Sequence, residues 1–155
     1  MSLQIRLADK WDCEEVWCIN SHQETRKWSF NQTLIPYEDH VIWFTKALTD
    51  PSRDLYVAAC ADGTRMLAGV GRLDYDEASC EISVAVQPEA YGKGVGTRLI
   101  DFMKEQVCNG RPIYAKMMPN NVASIKLFEK CGFKFLCEST ENGHHLVEYK
   151  FTPGT

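Results

Sequence analysis

No Cys-x-x-Cys pair occurs in this 155-residue chain, although it carries 7 cysteines, at positions 13, 18, 60, 80, 108, 131 and 137. That absence removes the commonest zinc-ligand and redox spacings. An odd count also argues against a closed disulfide framework. The thiols are expected to be reduced, with Cys80, Cys108 and Cys131 filling small gaps in apolar patterns. His144 and His145 stand side by side in a predicted strand, so they point to opposite faces and cannot chelate together. No metal is expected. No apolar run approaches the roughly 20 residues of a membrane span, and Met1-Ser-Leu-Gln-Ile-Arg6 lacks the apolar stretch of a secretion signal. The expectation is a cytoplasmic protein with no membrane partner. Excess positive charge is missing too: 17 Lys and Arg stand against 21 Asp and Glu, for a net charge of −4. Nucleic-acid binders usually show a basic face, which argues against that class. Repeats, linkers and low-complexity stretches are absent, and the length suits one domain spanning residues 1–155.

What is present is an ordinary soluble composition, 45% hydrophobic and 25% charged, and one unusual loop. Val84-Ala-Val-Gln-Pro-Glu-Ala-Tyr-Gly-Lys-Gly-Val-Gly-Thr97 reads as a buried strand, a short turn and the start of a helix. Gly92, Gly94 and Gly96 strip side chains from that turn, so successive backbone N–H groups can converge on an anion at the helix start. Lys93 adds a positive charge beside them. This is a phosphate cradle, and spacing tests which one. A dinucleotide fingerprint needs G-x-G-x-x-G, but the third glycine position falls on Thr97 or on Leu99. A P-loop needs Gly-Lys-Ser/Thr, and Lys93 has no hydroxyl after it. Neither fits.

Around the loop, periodicity lays out the remaining elements. Ile5–Ala8 is a short strand, Asp12–Asn20 a helix, and Ser21–Ile35 a loop or broken helix without a period. Pro36 opens a second helix to about Leu48, which Asp50-Pro51 ends. Leu55–Cys60, Met66–Asp74 and Ala78–Val86 are β-rich runs of an antiparallel meander. The helix after the glycines carries Val95, Leu99, Met103 and Val107 at successive fours and stops at Asn109-Gly110. Ile113–Met117 is the next strand. Asn120 or Asn121 caps a helix with Val122, Ile125 and Phe128 inward, closed by Gly132. Phe133–Glu138 and His145–Phe151 form a hairpin across Asn142-Gly143. The order β-α-α-β-β-β-α-β-α-β-β is an α/β arrangement on one mixed sheet.

Tyr91-Gly-Lys-Gly-Val-Gly96 resembles the pyrophosphate loop of the GNAT acetyltransferases, Arg/Gln-x-x-Gly-x-Gly/Ala, with Tyr91 in place of Arg or Gln. Asn121-Val-Ala-Ser124-Ile-Lys-Leu-Phe128-Glu-Lys-Cys-Gly-Phe133 is similar to the second motif of that family. Two motifs in order with a strand between them are far more specific than either alone. The resemblance covers Glu81–Phe133 strongly and implies the GNAT fold. That is a single mixed, mostly antiparallel seven-stranded sheet flanked by about four helices and splayed between strands 4 and 5.

The resemblance also implies acetyl-CoA as cosubstrate, with direct transfer to a primary amine. Backbone groups of Val84 and Val86 would bind the pantetheine arm, and a strand N–H near Ser83–Ala85 would polarise the thioester carbonyl. Tyr91, Gly92, Lys93, Gly94, Val95, Gly96 and Thr97 would hold the pyrophosphate. Asn121, Ser124 and Phe128 would line the arm and the thiol end. Glu81 is the candidate general base: alternation puts it on the face of Ser83 and Ala85. A solvated strand-end glutamate is the other reading of the same residue. Many relatives carry Tyr where Phe128 stands, to protonate the departing thiolate. Here Tyr91, Tyr114 or water would have to serve.

Arg26-Lys-Trp-Ser-Phe-Asn31 and Ile35-Pro-x-Glu-x-His40-x-x-Trp43-Phe44 resemble a subgroup that acetylates nucleotide-linked amino sugars of the pseudaminic-acid type. Trp28 and Phe30 offer faces for a sugar or base, or else pack the helices onto the sheet, and Arg26 and Lys116 could meet a diphosphate. A lysine at 116 suits an anionic acceptor. His40 could be a base or a packing residue, and Trp43 reads as packing. The acceptor is thus expected to be a small molecule, a nucleotide sugar or else an amino acid, polyamine or drug. A non-catalytic CoA-binding sensor module is the rival of a different class. The chain is expected to act as a monomer or homodimer without nucleic acid.

Overall fold

Hydrophobic spacing sets most element boundaries in the computed structural model, which describes residues 2–29, 33–107 and 109–154. Strand β1 (Leu3–Leu7) leads through a 3-10 turn (Lys10–Asp12) to α1 (Cys13–Ser21), the one-turn α2 (Gln23–Arg26) and α3 (Tyr37–Thr49). Then come β2 (Arg53–Cys60), β3 (Leu67–Tyr75) and β4 (Cys80–Val86). After them the chain runs through α4 (Val95–Gln106), β5 (Ile113–Met117) and α5 (Val122–Lys130). A hairpin of β6 (Lys134–Glu141) and β7 (His144–Phe151) closes the fold. Among the described residues, five helices thus stand where about four were expected. The addition is α2, inside the stretch 21–35 that showed no period.

Local chemistry explains the ends. Pro36, with φ −61°, is the N-cap of α3. Asn121 caps α5, its side chain accepting from the Ser124 N–H. Asn142 and Gly143 both take positive φ, 53° and 79°, the geometry of a two-residue I′ turn that keeps the strand twist. Val107 lies just past α4 as its C-cap rather than on a fourth helical turn.

The seven described strands run in the order β1-β2-β3-β4-β5-β7-β6. Of their pairings, β4–β5 is parallel and the rest are antiparallel. Alternation splits the side chains between two covered faces. Tyr56 and Ala58 of β2 face the cluster built on α4, where Val95, Leu99, Ile100 and Met103 are buried together with Ile82, Ile113 and Ala115. Leu55 and Val57 face the cluster of α1 and α3, with Val16, Ile19, Phe44 and Ala47. Each large side chain so buried contributes about 1.5–3 kcal/mol. Cys80 and Cys131 are buried, and burial pushes their thiols up to about 12 and about 11. They are inert fillers at neutral pH. Cys108 lies outside the described residues. Among the described residues no three His, Cys, Asp or Glu side chains group to hold a metal ion. No described helix is long and apolar enough to cross a membrane.

One charged group is buried at the start of the chain. Asp12, with a fully buried side chain, accepts from Arg6 Nη1 at 2.7 Å and Nη2 at 3.0 Å, and from the Asp9 N–H at 2.8 Å. Arg65 Nη2 adds a contact at 3.3 Å. Burial opposes the Asp12 charge, but the Arg6 bonds and the Asp9 amide outweigh it and hold the carboxyl below its ordinary value. Asp12→Ala is expected to cost about 3 kcal/mol, because Arg6 is left without its bidentate partner. For a chain of this size that is a fall in Tm of roughly 6–12 °C, readable by thermal melts. The contribution is present above the unfolded-state value near 3.9 and fades as pH falls toward the lower folded-state value. The gap between wild type and Asp12→Asn is therefore expected to shrink in acid.

Candidate active site

The parallel pair β4–β5 is short. Only Cys80↔Ile113 and Glu81↔Tyr114 are in register, whereas β4 stays paired with β3 out to Val86. Beyond Glu81 the two strands part and leave a cleft. The parity of the β3–β4 ladder says which backbone groups face it. Gln87 N–H donates to Ala68 C=O, on the β3 side, while Cys80 N–H donates to Pro112 C=O, on the β5 side. Odd positions of β4 therefore turn their amides to β3, and Val84 and Val86 turn theirs into the cleft. A strand edge of this kind accepts an extended amide-bearing molecule as an added strand. From sequence, the carbonyl-polarising amide could fall anywhere in Ser83–Ala85; of those three, only the Val84 N–H faces the opening.

At the far end of β4 the chain turns through Pro88–Ala90 into Tyr91 and the glycines. Gly92 and Gly94 have φ of +76° and +79°, a left-handed conformation that costs other residues about 1–2 kcal/mol. Gly94 is the N-cap of α4 and offers no side-chain cap. The first helical bond is Arg98 N–H to Gly94 C=O at 3.1 Å. The amides of Val95, Gly96 and Thr97 thus precede the intrahelical ladder and point out of the positive end of a 12-residue helix. Lys93 is exposed beside them. Gly96 has a different reason to be glycine: a Cβ there would lie 2.7 Å from Leu127 Cδ2, so it sets the approach of α4 to α5. The three glycines are not equivalent.

Tyr91 is half exposed at the mouth of this loop. Burial of its hydroxyl, with the Glu24 carboxylate nearby, holds it above the ordinary tyrosine value. Glu24 of α2 thus lies near the Tyr91 end of the cleft. A shallow hollow lined by Asp101, Lys104 and Phe151 lies toward the other end of α4, roughly 12 Å along the helix axis.

Where the strands part, charge collects. On one face stand Glu81 from β4, Tyr114 and Lys116 from β5, Glu148 and Lys150 from β7, and Glu141 from the end of β6. Lys116 Nζ is 3.6 Å from Glu81 Oε1 and 3.6 Å from Glu141 Oε1, and Glu148 is its Cα partner on β7. Burial works against the Lys116 charge, but the three carboxylates outweigh it and hold the ammonium above the ordinary lysine value. Lys150 lies with its ammonium 5.7 Å over the Tyr114 ring. Beside Glu81 on β3, Arg72 bonds Asp74 at 2.9 Å and reaches Ser83 Oγ at 3.5 Å.

The expectation that Lys116 receives an anionic group has these carboxylates to compete with, since they already lie against its charge. Sequence reasoning also missed Glu141 and Glu148. Their only signal was alternation within the hairpin, and it takes the β5–β7 register to bring them to Lys116.

His40 is corrected. It is buried on α3, its Nε2 2.9 Å from the Cys13 carbonyl oxygen, and its ring lies against Phe44. Burial lowers its titration below the ordinary histidine value. With Nε2–H donating to that carbonyl, it is a neutral packing group and not a substrate contact.

Phe128 is buried, edge-on to Phe133 with centroids 5.0 Å apart. Its ring belongs to the α4 core, and little of it is left to line a thiol site. Asn121 is buried and spends its side-chain oxygen on the Ser124 amide at 3.3 Å, so both residues serve first as the cap of α5. Arg26 on α2 donates from Nε to Thr33 C=O at 3.1 Å. Trp28 carries the Lys27 ammonium 5.3 Å over its ring. Phe30 lies outside the described residues.

Comparison with known proteins follows the same lines. The acetyltransferase (GNAT) family profile matches residues 7–133. The chain is 25% identical to spermidine N(1)-acetyltransferase of Vibrio cholerae serotype O1, over 98% of this chain and 86% of that protein. It is 32% identical to YwnH of Bacillus subtilis strain 168, named as a candidate phosphinothricin acetyltransferase, over 84% of this chain and 83% of that one. Among solved structures, the Vibrio cholerae spermidine N-acetyltransferase in complex with CoA and spermine superposes with a TM-score of 0.84 at 21% identity. That match covers 97% of this chain and 95% of the other. The two share the fold.

Proposed function

The chain belongs to the GNAT acetyltransferase family, and from that premise we propose that it acetylates a small, positively charged primary amine. As a family member it is an acetyl-CoA-dependent N-acetyltransferase. The charge of the acceptor is the finer reading. One observation carries it: at the parting of the strands three carboxylates surround Lys116, with Lys150 over the Tyr114 ring and Arg72 already bonded to Asp74. A cationic amine is drawn to such a site and an anionic one is repelled. The relatives are named as spermidine and phosphinothricin acetyltransferases, and the local field is what favours a cationic acceptor in this reading. A nucleotide-linked amino sugar remains the competing acceptor. It would bring a diphosphate toward a lysine already matched by carboxylates.

In this reading the diphosphate of acetyl-CoA sits on the amides of Val95, Gly96 and Thr97, with Lys93 beside it. Its pantetheine amides pair with Val84 and Val86. The Val84 N–H meets the thioester oxygen as it gains negative charge. The amine nitrogen attacks the thioester carbon, the C–S bond breaks, and N-acetyl amine, free CoA and one proton result. Glu81 takes the proton from the incoming ammonium. Phe128 has no proton to give the leaving thiolate, and Tyr114, in register with Glu81, is the hydroxyl assigned to that step. Tyr91, at the diphosphate end, is the other tyrosine that could supply it.

Free thiol release from acetyl-CoA tests the reading. The panel is a diamine, an aminoglycoside, an amino acid and a nucleotide-linked amino sugar. Turnover is expected to be higher on the diamine and the aminoglycoside than on the nucleotide-linked sugar. Release confined to the nucleotide sugar would reverse the charge assignment.

A further inference from the structure

We propose that Lys116 is a specificity-determining residue: its ammonium fills one cation seat at the acceptor end of the cleft, so acceptors compete with a charge the protein itself supplies. This rests on the acetyl-transfer reading above. Lys116 stands two residues beyond Tyr114, the last β5 residue in register with β4, so it sits where the strands part.

The lysine side chain is a four-carbon alkyl chain ending in an ammonium, the same unit that ends a simple diamine. Its Nζ lies 3.6 Å from both Glu81 and Glu141. The seat therefore already holds an alkylammonium, tethered by β5. The charged groups facing it are Glu81 from β4, Glu148 and Lys150 from β7, and Glu141 from β6, with Tyr114 beside it on β5. An acceptor with one ammonium can use Glu81 while Lys116 keeps Glu141. An acceptor with two must place its second charge against Lys116. Removing the lysine charge opens that second seat without touching the amides of the cleft.

The test is calorimetric titration of the CoA-saturated protein with n-butylamine and with 1,4-diaminobutane. CoA fills the donor site and permits no turnover. The proteins compared are wild type, Lys116→Met and Lys116→Arg. A like charge about two ion-pair lengths away costs on the order of tenfold in affinity. Lys116→Met is therefore expected to bind the diamine about tenfold tighter than wild type, with butylamine changed less than about threefold. Lys116→Arg is expected to keep the wild-type ratio. A diamine-to-monoamine affinity ratio equal in wild type and Lys116→Met overturns the proposal, as does binding of neither amine to any of the three proteins. Thiol release from acetyl-CoA with the same two amines is measured separately. Its absence alongside the affinity shift would remove the acetyl-transfer reading and leave the seat standing.

Discussion

Gly94→Asp is expected to lower acetyl-CoA affinity at least a hundredfold while the fold persists. Position 94 has φ +79°, and a Cβ placed there would meet no atom within 4 Å, so the side chain itself clashes with nothing. The strain of a left-handed aspartate is about 1 kcal/mol, because Asp tolerates this region better than most residues. That predicts a loss of only a few degrees in Tm. The carboxylate, however, arrives at the N-cap of α4, where it takes the Val95–Thr97 amides for itself and faces the diphosphate with like charge. Repulsion worth about 3 kcal/mol at short range already accounts for a hundredfold. Gly94→Ala separates the two causes, since it keeps the strain and omits the charge; its affinity is expected within about tenfold of wild type. Calorimetry with acetyl-CoA reads both variants. Binding by Gly94→Asp within threefold of wild type would remove the glycine loop as the diphosphate site.

Glu81→Gln is expected to lower the acetylation rate about a hundredfold near neutral pH. A primary alkylamine has an ordinary value near 10.4, so at pH 7 roughly one molecule in a few thousand is unprotonated. A positioned carboxylate that accepts the proton typically contributes about 10²- to 10⁴-fold. The glutamine amide keeps the shape and cannot accept the proton, so the variant depends on amine that is already neutral. Its deficit is expected to narrow steadily as pH rises toward the acceptor's own value. Lys116 keeps Glu141 at 3.6 Å in this variant, which limits collateral change. A pH–rate profile parallel to wild type would take Glu81 out of the proton-accepting role.

What the sequence made legible was local. The glycine loop, the cap at Asn121 and the turn at Asn142-Gly143 each lie within a few residues, and the chemistry of those residues decides the backbone. The helices and strands followed from periodicity because each buries one face. The parting of β4 from β5 came from family likeness, not spacing, and no local pattern around Glu81 announces it. The carboxylates around Lys116 could not be foreseen because they are remote in sequence: Glu81 precedes it on β4, while Glu141 and Glu148 come from the final hairpin. Charges on strand faces acquire meaning only once three registers are fixed. His40 was hidden for the same reason, since its partner is the carbonyl of Cys13, on another helix. Gly96 shows the converse: the residue type was read rightly as necessary, but the need comes from Leu127 across a helix interface.

The brief pairing of β4 with β5 has a mechanical consequence. Four strands on one side and three on the other are joined across the sheet's middle by two rungs, Cys80↔Ile113 and Glu81↔Tyr114. That seam is where the sheet yields first, and amides beyond it exchange with solvent sooner than those of β2 or β3. An extended guest laid along the Val84 and Val86 amides would cover part of that opening. A donor seated there as proposed is therefore expected to slow that exchange, which hydrogen exchange with and without CoA would read.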